Sequence, residues 1–156
     1  MQKKTKIAGL YVATLRAISI IHQQNHWTAK GSDFYGNHLL FERIYKSSVE
    51  NIDSAAEKFM GLFGPEFLSY EFQSDILSKL LLTYKSLSKD HLELSLAVER
   101  DFAKLSKDVY NYFEAEGELT LGLDDMIMAI ANEREEAIYL LQQALNYYPS
   151  IKKDSK

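Results

Sequence analysis

The chain has 156 residues, of which 46 % are hydrophobic and 26 % charged, with no cysteine and a formal net charge of −4. That length is enough for one domain with a full core, and the charge balance provides no global attraction for nucleic acid. The lack of cysteine excludes disulfides, thiolate metal sites and cysteine nucleophiles, and fits a reducing cytoplasm.

The only two prolines, Pro65 and Pro149, lie outside the long periodic stretches, which favours long helices. Lys3, Lys4 and Lys6 precede a largely apolar run from Ile7 to Ile21, superficially like a secretory signal. Arg16 interrupts that run and no small-residue cleavage site follows, so the reading is an amphipathic first helix over about residues 5–30, too short and interrupted to span a membrane. Its stripe is Leu10, Ala13 or Thr14, Ala17, Ile21 and Gln24, widened by Ile7, Val12, Leu15 and Ile18. Gly31 stops it, and Ser32 and Asp33 start a second helix over about 35–62. There Leu40, Ile44, Val49, Ile52, Ala56, Phe59 and Phe63 form the expected apolar face. A short helix over about 74–84 sits in a long connection. A third long helix spans about 88–115 with Leu92, Leu96, Val98 or Glu99, Phe102, Leu105 and Val109 along its core stripe. A fourth covers about 122–147, with Met126, Ile127, Ile130, Ala131, Ala137, Leu141, Ala144 and Leu145 inward. Pro149 and the lysines 152, 153 and 156 close a chain read as a single domain over 1–156, a four-helix bundle without repeats.

Three of the four histidines, His22, His26 and His38, fall in one short window, followed by Glu42, Asp53 and Glu57. Imidazole with carboxylate suits divalent iron, zinc or manganese. His38 and Glu42 share a helix face, and so do Asp53 and Glu57, each pair being four residues apart. On one continuous helix, at ~1.5 Å per residue, His38 and Asp53 stand about 22 Å apart along the axis and Glu42 and Asp53 roughly 16 Å apart, yet the angular positions of Glu42 and Asp53 nearly coincide. One ion needs its ligands within ~2.0–2.6 Å, so a single chain cannot bring both halves to one metal. A second copy of the helix packed antiparallel can: His38 and Glu42 of one subunit then face Asp53 and Glu57 of the partner subunit. A two-fold dimer makes two such sites, with its axis expected near the small side chains Ser47 and Ser48.

The run His26-Trp27-Thr28-Ala29-Lys30-Gly31-Ser32-Asp33-Phe34, then His38, Phe41-Glu42, Asp53 and Ala56-Glu57-Lys58, resembles the Dps family, the ferritin-like DNA-binding proteins of starved cells also called mini-ferritins. The resemblance implies an all-α, ferritin-like four-helix bundle with a short extra helix in the long connection between the second and third long helices. It also implies a homo-oligomer, a dodecameric hollow shell built from C2 dimers. Iron, Fe(II) and Fe(III), is the implied cofactor, with two sites per dimer interface. His26 and His38 would come from one subunit, Asp53 and Glu57 from the other, and Glu42 would bind or bridge a second iron; zinc can occupy the same ligands. The implied activity is that of a ferroxidase, usually driven by hydrogen peroxide, with Fe(III) mineral stored inside. The family's DNA-binding members carry a long lysine-rich extension before the first helix, whereas here only Met1 to Thr5 precede it, so weak DNA binding at most is expected. A larger ferritin is disfavoured because no Glu-x-x-His occurs. The remaining rival is a DNA-compacting or structural shell with weak or no ferroxidase activity.

Other conspicuous residues have plainer readings. Trp27 is expected to pack in the core or an interface, and His22 to serve a surface or interface role rather than bind metal. Glu114, Glu116, Glu118, Asp124 and Asp125 are read as charges at helix ends.

Overall fold

A computed structural model describes residues 1–146. Four long helices, α1 (Lys3–Thr28), α2 (Phe34–Phe63), α4 (His91–Ala115) and α5 (Leu121–Ala144), are joined by short turns except between α2 and α4. That connection contains a 3-10 turn, Pro65–Leu68, and a fifth helix, α3 (Tyr70–Tyr84). The all-α bundle with an extra helix in the long connection is therefore as expected. Among the described residues no helix is long and apolar enough to cross a membrane.

α1 is more central than an amphipathic helix. α2, α3 and α4 all pack on it, so Thr5, Ala8, Tyr11 and Ser19 are buried as well as the expected Val12, Ala13, Thr14, Leu15, Ala17 and Ile18. Gln24, expected on the inward stripe, is exposed. The chain turns after α1 through Gly31, whose φ of 95° lies in the left-handed region that a side chain disfavours.

α2 runs unbroken for 30 residues, about 45 Å. Its buried positions are Phe41, Ile44, Ser48, Asn51, Ala55 and Phe59. The inward face is thus rotated relative to the expected one: Val49 is 50 % exposed, while Leu40, Ile52, Ala56 and Phe63 are half-buried. Phe59 anchors an aromatic cluster with Tyr11, Phe63, Phe67 and Phe113, at centroid separations of 5.7 to 6.1 Å, favourable distances for ring pairs.

α3 begins a turn earlier than its periodicity implied, because Ser69 accepts from the Phe72 amide and caps it. It is locked onto α1 at Gly9, where a Cβ would lie 2.3 Å from the Phe72 ring. Beside it the Gln73 amide donates to the Gly9 and Phe67 carbonyls at 3.0 and 2.9 Å, and Arg16 donates to Gln73 Oε1 at 3.1 Å. α4 starts later than expected, at His91, since Asp90 takes the capping role toward the Glu93 amide at 2.9 Å. Thr120 caps α5 through the Leu123 amide at 3.1 Å. In the last turn of α5 Ala144 is exposed, contrary to expectation. The expected end of that helix at 147, Pro149 and the lysines beyond lie outside the described residues.

Candidate metal centre

His26 lies in the last turn of α1 and His38 in the second turn of α2, and the Gly31 turn folds them onto each other. Their rings stack with centroids 3.8 Å apart. His26 Nδ1 is 2.8 Å from the His38 carbonyl oxygen, and His38 Nδ1 is 2.9 Å from the His26 carbonyl oxygen. A carbonyl only accepts, so each Nδ1 carries a hydrogen, and the nitrogen of each ring that can serve as a ligand is Nε2. This reciprocal arrangement fixes both tautomers and both ring planes, as backbone carbonyls do for metal-ligating histidines. Phe34 flanks His38 at 5.0 Å and the edge of Tyr45 flanks His26 at 5.4 Å.

Glu42 follows His38 by one turn. Its Oε1 accepts from Lys46 Nζ at 2.5 Å. That hydrogen bond and the ammonium charge, with smaller help from the two imidazoles, hold the Glu42 carboxyl below its ordinary value. The side chain is ionised at neutral pH and lies within electrostatic reach of both rings, as a cation ligand must be.

Asp53 and Glu57 are exposed farther along the same helix. Because α2 is continuous, Asp53 stands about 22 Å along the axis from His38. Among the described residues no group of three or more histidines and acids is close enough to hold one ion. At ~100° per residue, His38, Glu42, Val49, Asp53 and Glu57 fall within about 100° of arc. Tyr35 and Met60 share that arc, and both are exposed, Tyr35 by 72 %. The acids and imidazoles thus belong to one solvent-facing flank that also carries unpartnered apolar side chains. Ser47 and Ser48 are not on it. Ser48 is buried in its own bundle, donating to the Tyr45 carbonyl at 2.8 Å, and Ser47 turns toward α5, donating to Glu133 Oε2 at 3.0 Å. Val49 occupies the midpoint of the flank instead, since 100° per residue carries the two serines round to the bundle side.

His22 corrects its expectation more sharply: it is fully buried. Its Nε2 lies 2.7 Å from Glu99 Oε1, which also accepts from Arg134 Nη1 at 3.0 Å. Its Nδ1 lies 3.0 Å from Ser95 Oγ, and Asn25 Nδ2 donates to the same hydroxyl at 2.9 Å. Arg134 reaches on to the Ser47 hydroxyl, so this chain of polar groups ties all four long helices together. Its signal in the sequence was positional: Glu99 adjoins Val98 on the core stripe of α4, and Arg134 continues the Ile127, Ile130, Ala137 spacing of α5. Trp27 is 68 % exposed and is not a core residue.

Four long helices with a short fifth in the central connection, carrying an imidazole pair and carboxylates on one flank, define a ferritin-like architecture. A family model described as a ferritin-like domain matches residues 11–151, and the chain belongs to that family. It is 26 % identical over 125 residues to DNA protection during starvation protein 2 of Bacillus anthracis, covering 78 % of this chain and 82 % of that one. It is also 29 % identical over 97 residues to the DNA protection during starvation protein of Helicobacter pylori, covering 52 % of this chain and 67 % of that one. Dps from Thermosynechococcus elongatus superposes with a TM-score of 0.76 at 14 % identity, covering 97 % of this chain and 95 % of that one. Dps from Vibrio cholerae O1, described as a member of a broad superfamily of ferritin-like diiron-carboxylate proteins, also gives 0.76, at 17 % identity over 92 % of this chain and 89 % of that one. These four proteins are named as Dps or DNA-protection-during-starvation proteins, the group within the ferritin-like family that this chain resembles.

Proposed function

We propose that this protein binds Fe(II) as its substrate, oxidises it with hydrogen peroxide and retains the Fe(III) product within a hollow shell. The residues assigned to the iron site are His26 and His38 of one subunit with the partner's Asp53 and the partner's Glu57; Glu42 binds or bridges a second iron. The observation that carries this reading is the mutual carbonyl hydrogen bonding of His26 and His38, which leaves Nε2 of each ring as its ligating nitrogen in a fixed orientation. In this reading a second copy of α2 supplies the acids, and the exposed Tyr35, Val49 and Met60 give that copy an apolar surface to pack on.

The donor set fits the chemistry. Imidazole suits Fe(II), and carboxylates favour the harder Fe(III) product. Two Fe(II) ions give up one electron each; one peroxide takes both, its O–O bond breaks, and with two protons it leaves as two waters. Pairing the irons avoids single-electron cleavage to hydroxyl radical. Few protein ligands per ion leave positions open for the oxidant. The assembly proposed is the dodecamer of the Dps group, built from these dimers, with residues 1–156 as one domain. Weak DNA affinity belongs to the same reading, since Lys4 is paired with Glu118 at 3.0 Å and Lys3 sits over the Tyr112 ring at 4.8 Å.

Complementation tests the shared site. A variant with Asp53→Ala and Glu57→Ala, and another with His26→Ala and His38→Ala, are each expected to assemble without rapid Fe(II) oxidation. Mixed under subunit exchange, each hybrid dimer regains one of its two sites and oxidation returns. Exchange shown by mass spectrometry with no recovered oxidation refutes ligands shared between subunits.

A further inference from the structure

The ends of α1 and α3 and the start of α4 frame an open cleft of about 480 Å³, within the ~300–1,000 Å³ range of small-molecule sites. Ile20, Ile21, Leu81 and Leu94 form its apolar walls. The charged side chains that line it are Lys85 and Lys89, and no acid does. Both lysines are exposed, and neither forms an ion pair among the described residues. The buried Asn25 also lines the cavity, but its amide hydrogens are engaged by the His91 carbonyl at 3.2 Å and Ser95 Oγ at 2.9 Å. His91 Nε2 stands 3.5 Å from the Thr28 hydroxyl at the same wall. The cavity therefore pairs apolar walls with two uncompensated positive charges and holds no negative one.

We propose that this cavity binds an unbranched aliphatic monocarboxylate. The chain lies against Ile20, Ile21, Leu81 and Leu94, and the carboxylate meets Lys85 and Lys89. The complementarity is of both kinds a small-molecule site uses: an apolar body that loses water, and a few charged groups that orient the head. A cationic or uncharged head of the same length leaves the lysines unanswered and is discriminated against. A chain of on the order of ten carbons suits a cavity of this size. This site is independent of the iron reading, because none of its residues belongs to the proposed ligand set.

Isothermal titration of the assembled protein with sodium decanoate tests it, with decyltrimethylammonium as the probe of opposite charge. Saturable binding of one decanoate per chain is expected, weakening as salt is raised. Lys85→Ala combined with Lys89→Ala is expected to weaken it about tenfold. Ile20→Asp, at a position already 40 % exposed and so compatible with folding, sets a like charge in the wall and is expected to weaken it at least tenfold. Fe(II) oxidation is unchanged in both variants. No saturable binding, as when a neighbouring subunit covers the mouth, overturns the proposal. So does ammonium binding as tight as the carboxylate, or decanoate affinity that neither substitution moves.

Discussion

Replacing Glu99 with alanine removes the acid that, among the described residues, pairs with the buried His22 and Arg134. Glu99 Oε1 accepts from His22 and from Arg134 at 2.7 and 3.0 Å, and the side chains of all three are at most 1 % exposed. Without it the Arg134 guanidinium keeps its charge in a site water does not reach, and breaking such a pair from one side costs about 3–5 kcal/mol. In a chain of this size each kcal/mol moves the midpoint by roughly 2–4 °C, so a fall of about 6–20 °C is expected. Glu99→Leu together with Arg134→Leu removes both charges and is expected to cost much less, because isosteric apolar replacement of a whole buried pair is often near neutral. Urea and thermal unfolding at one fixed protein concentration measure both variants, since assembly adds concentration-dependent stability. The coupling between the positions is the quantity of interest. A single variant within about 1 kcal/mol of the parent, or a double variant as unstable as the single, refutes the view that the charge is desolvated and paired.

Three further outcomes follow from the flank and from the buried phenols. Val49→Asp, at the midpoint of the α2 flank, places a charge against its own copy in the proposed dimer; sedimentation velocity is expected to show smaller species and stopped-flow to show lost Fe(II) oxidation, whereas an intact assembly removes Val49 from the interface. Lys46→Ala frees Glu42 from the ammonium that now occupies it, so Zn²⁺ or Co²⁺ is expected to bind more tightly at neutral pH; an unchanged affinity takes Glu42 out of the ligand set. Burial, then the hydrogen bond to Asp101 and its charge, pushes the Tyr84 phenol well above its ordinary value. Its folded pKa exceeds the unfolded one, so its contribution is full below about pH 10 and declines as pH rises past that, by up to about 1.4 kcal/mol per pH unit. Tyr84→Phe is expected to flatten the loss of stability between pH 10 and 11.5 by that share, and urea midpoints that fall as steeply as the parent's contradict it.

Helix placement was readable because it depends on neighbours in the chain. Gly64 and Pro65 end α2, Gly31 ends α1, and 3.6-residue periodicity carries the rest. The spacing of His38, Glu42, Asp53 and Glu57 along one helix was equally local, and with it the division of the ligand set into two halves. The rotation of α2 was not. Val49 is as apolar as Ile44, yet it is half exposed, because Phe41, Ser48, Asn51 and Ala55 are the positions that α1 and α5 cover. Which of two adjacent arcs turns inward is set by the helices that pack there, and the apolar count along α2 alone could not choose.

Taken alone, the sequence determined the number and type of helices, the absence of thiol chemistry, and the separation between imidazoles and acids on α2, since each of these follows from residue identity or from a fixed rise per residue. Only the tertiary structure decided that His26 and His38 hold each other by their backbone carbonyls, that Trp27 and Val49 face outward, and that His22, Glu99 and Arg134 meet in the core. A small hydroxyl such as Ser48 can be satisfied by its own helix, but a charged side chain such as Glu99 or Arg134 enters the bundle interior with a partner from another helix, and that pairing depends on which helices lie side by side.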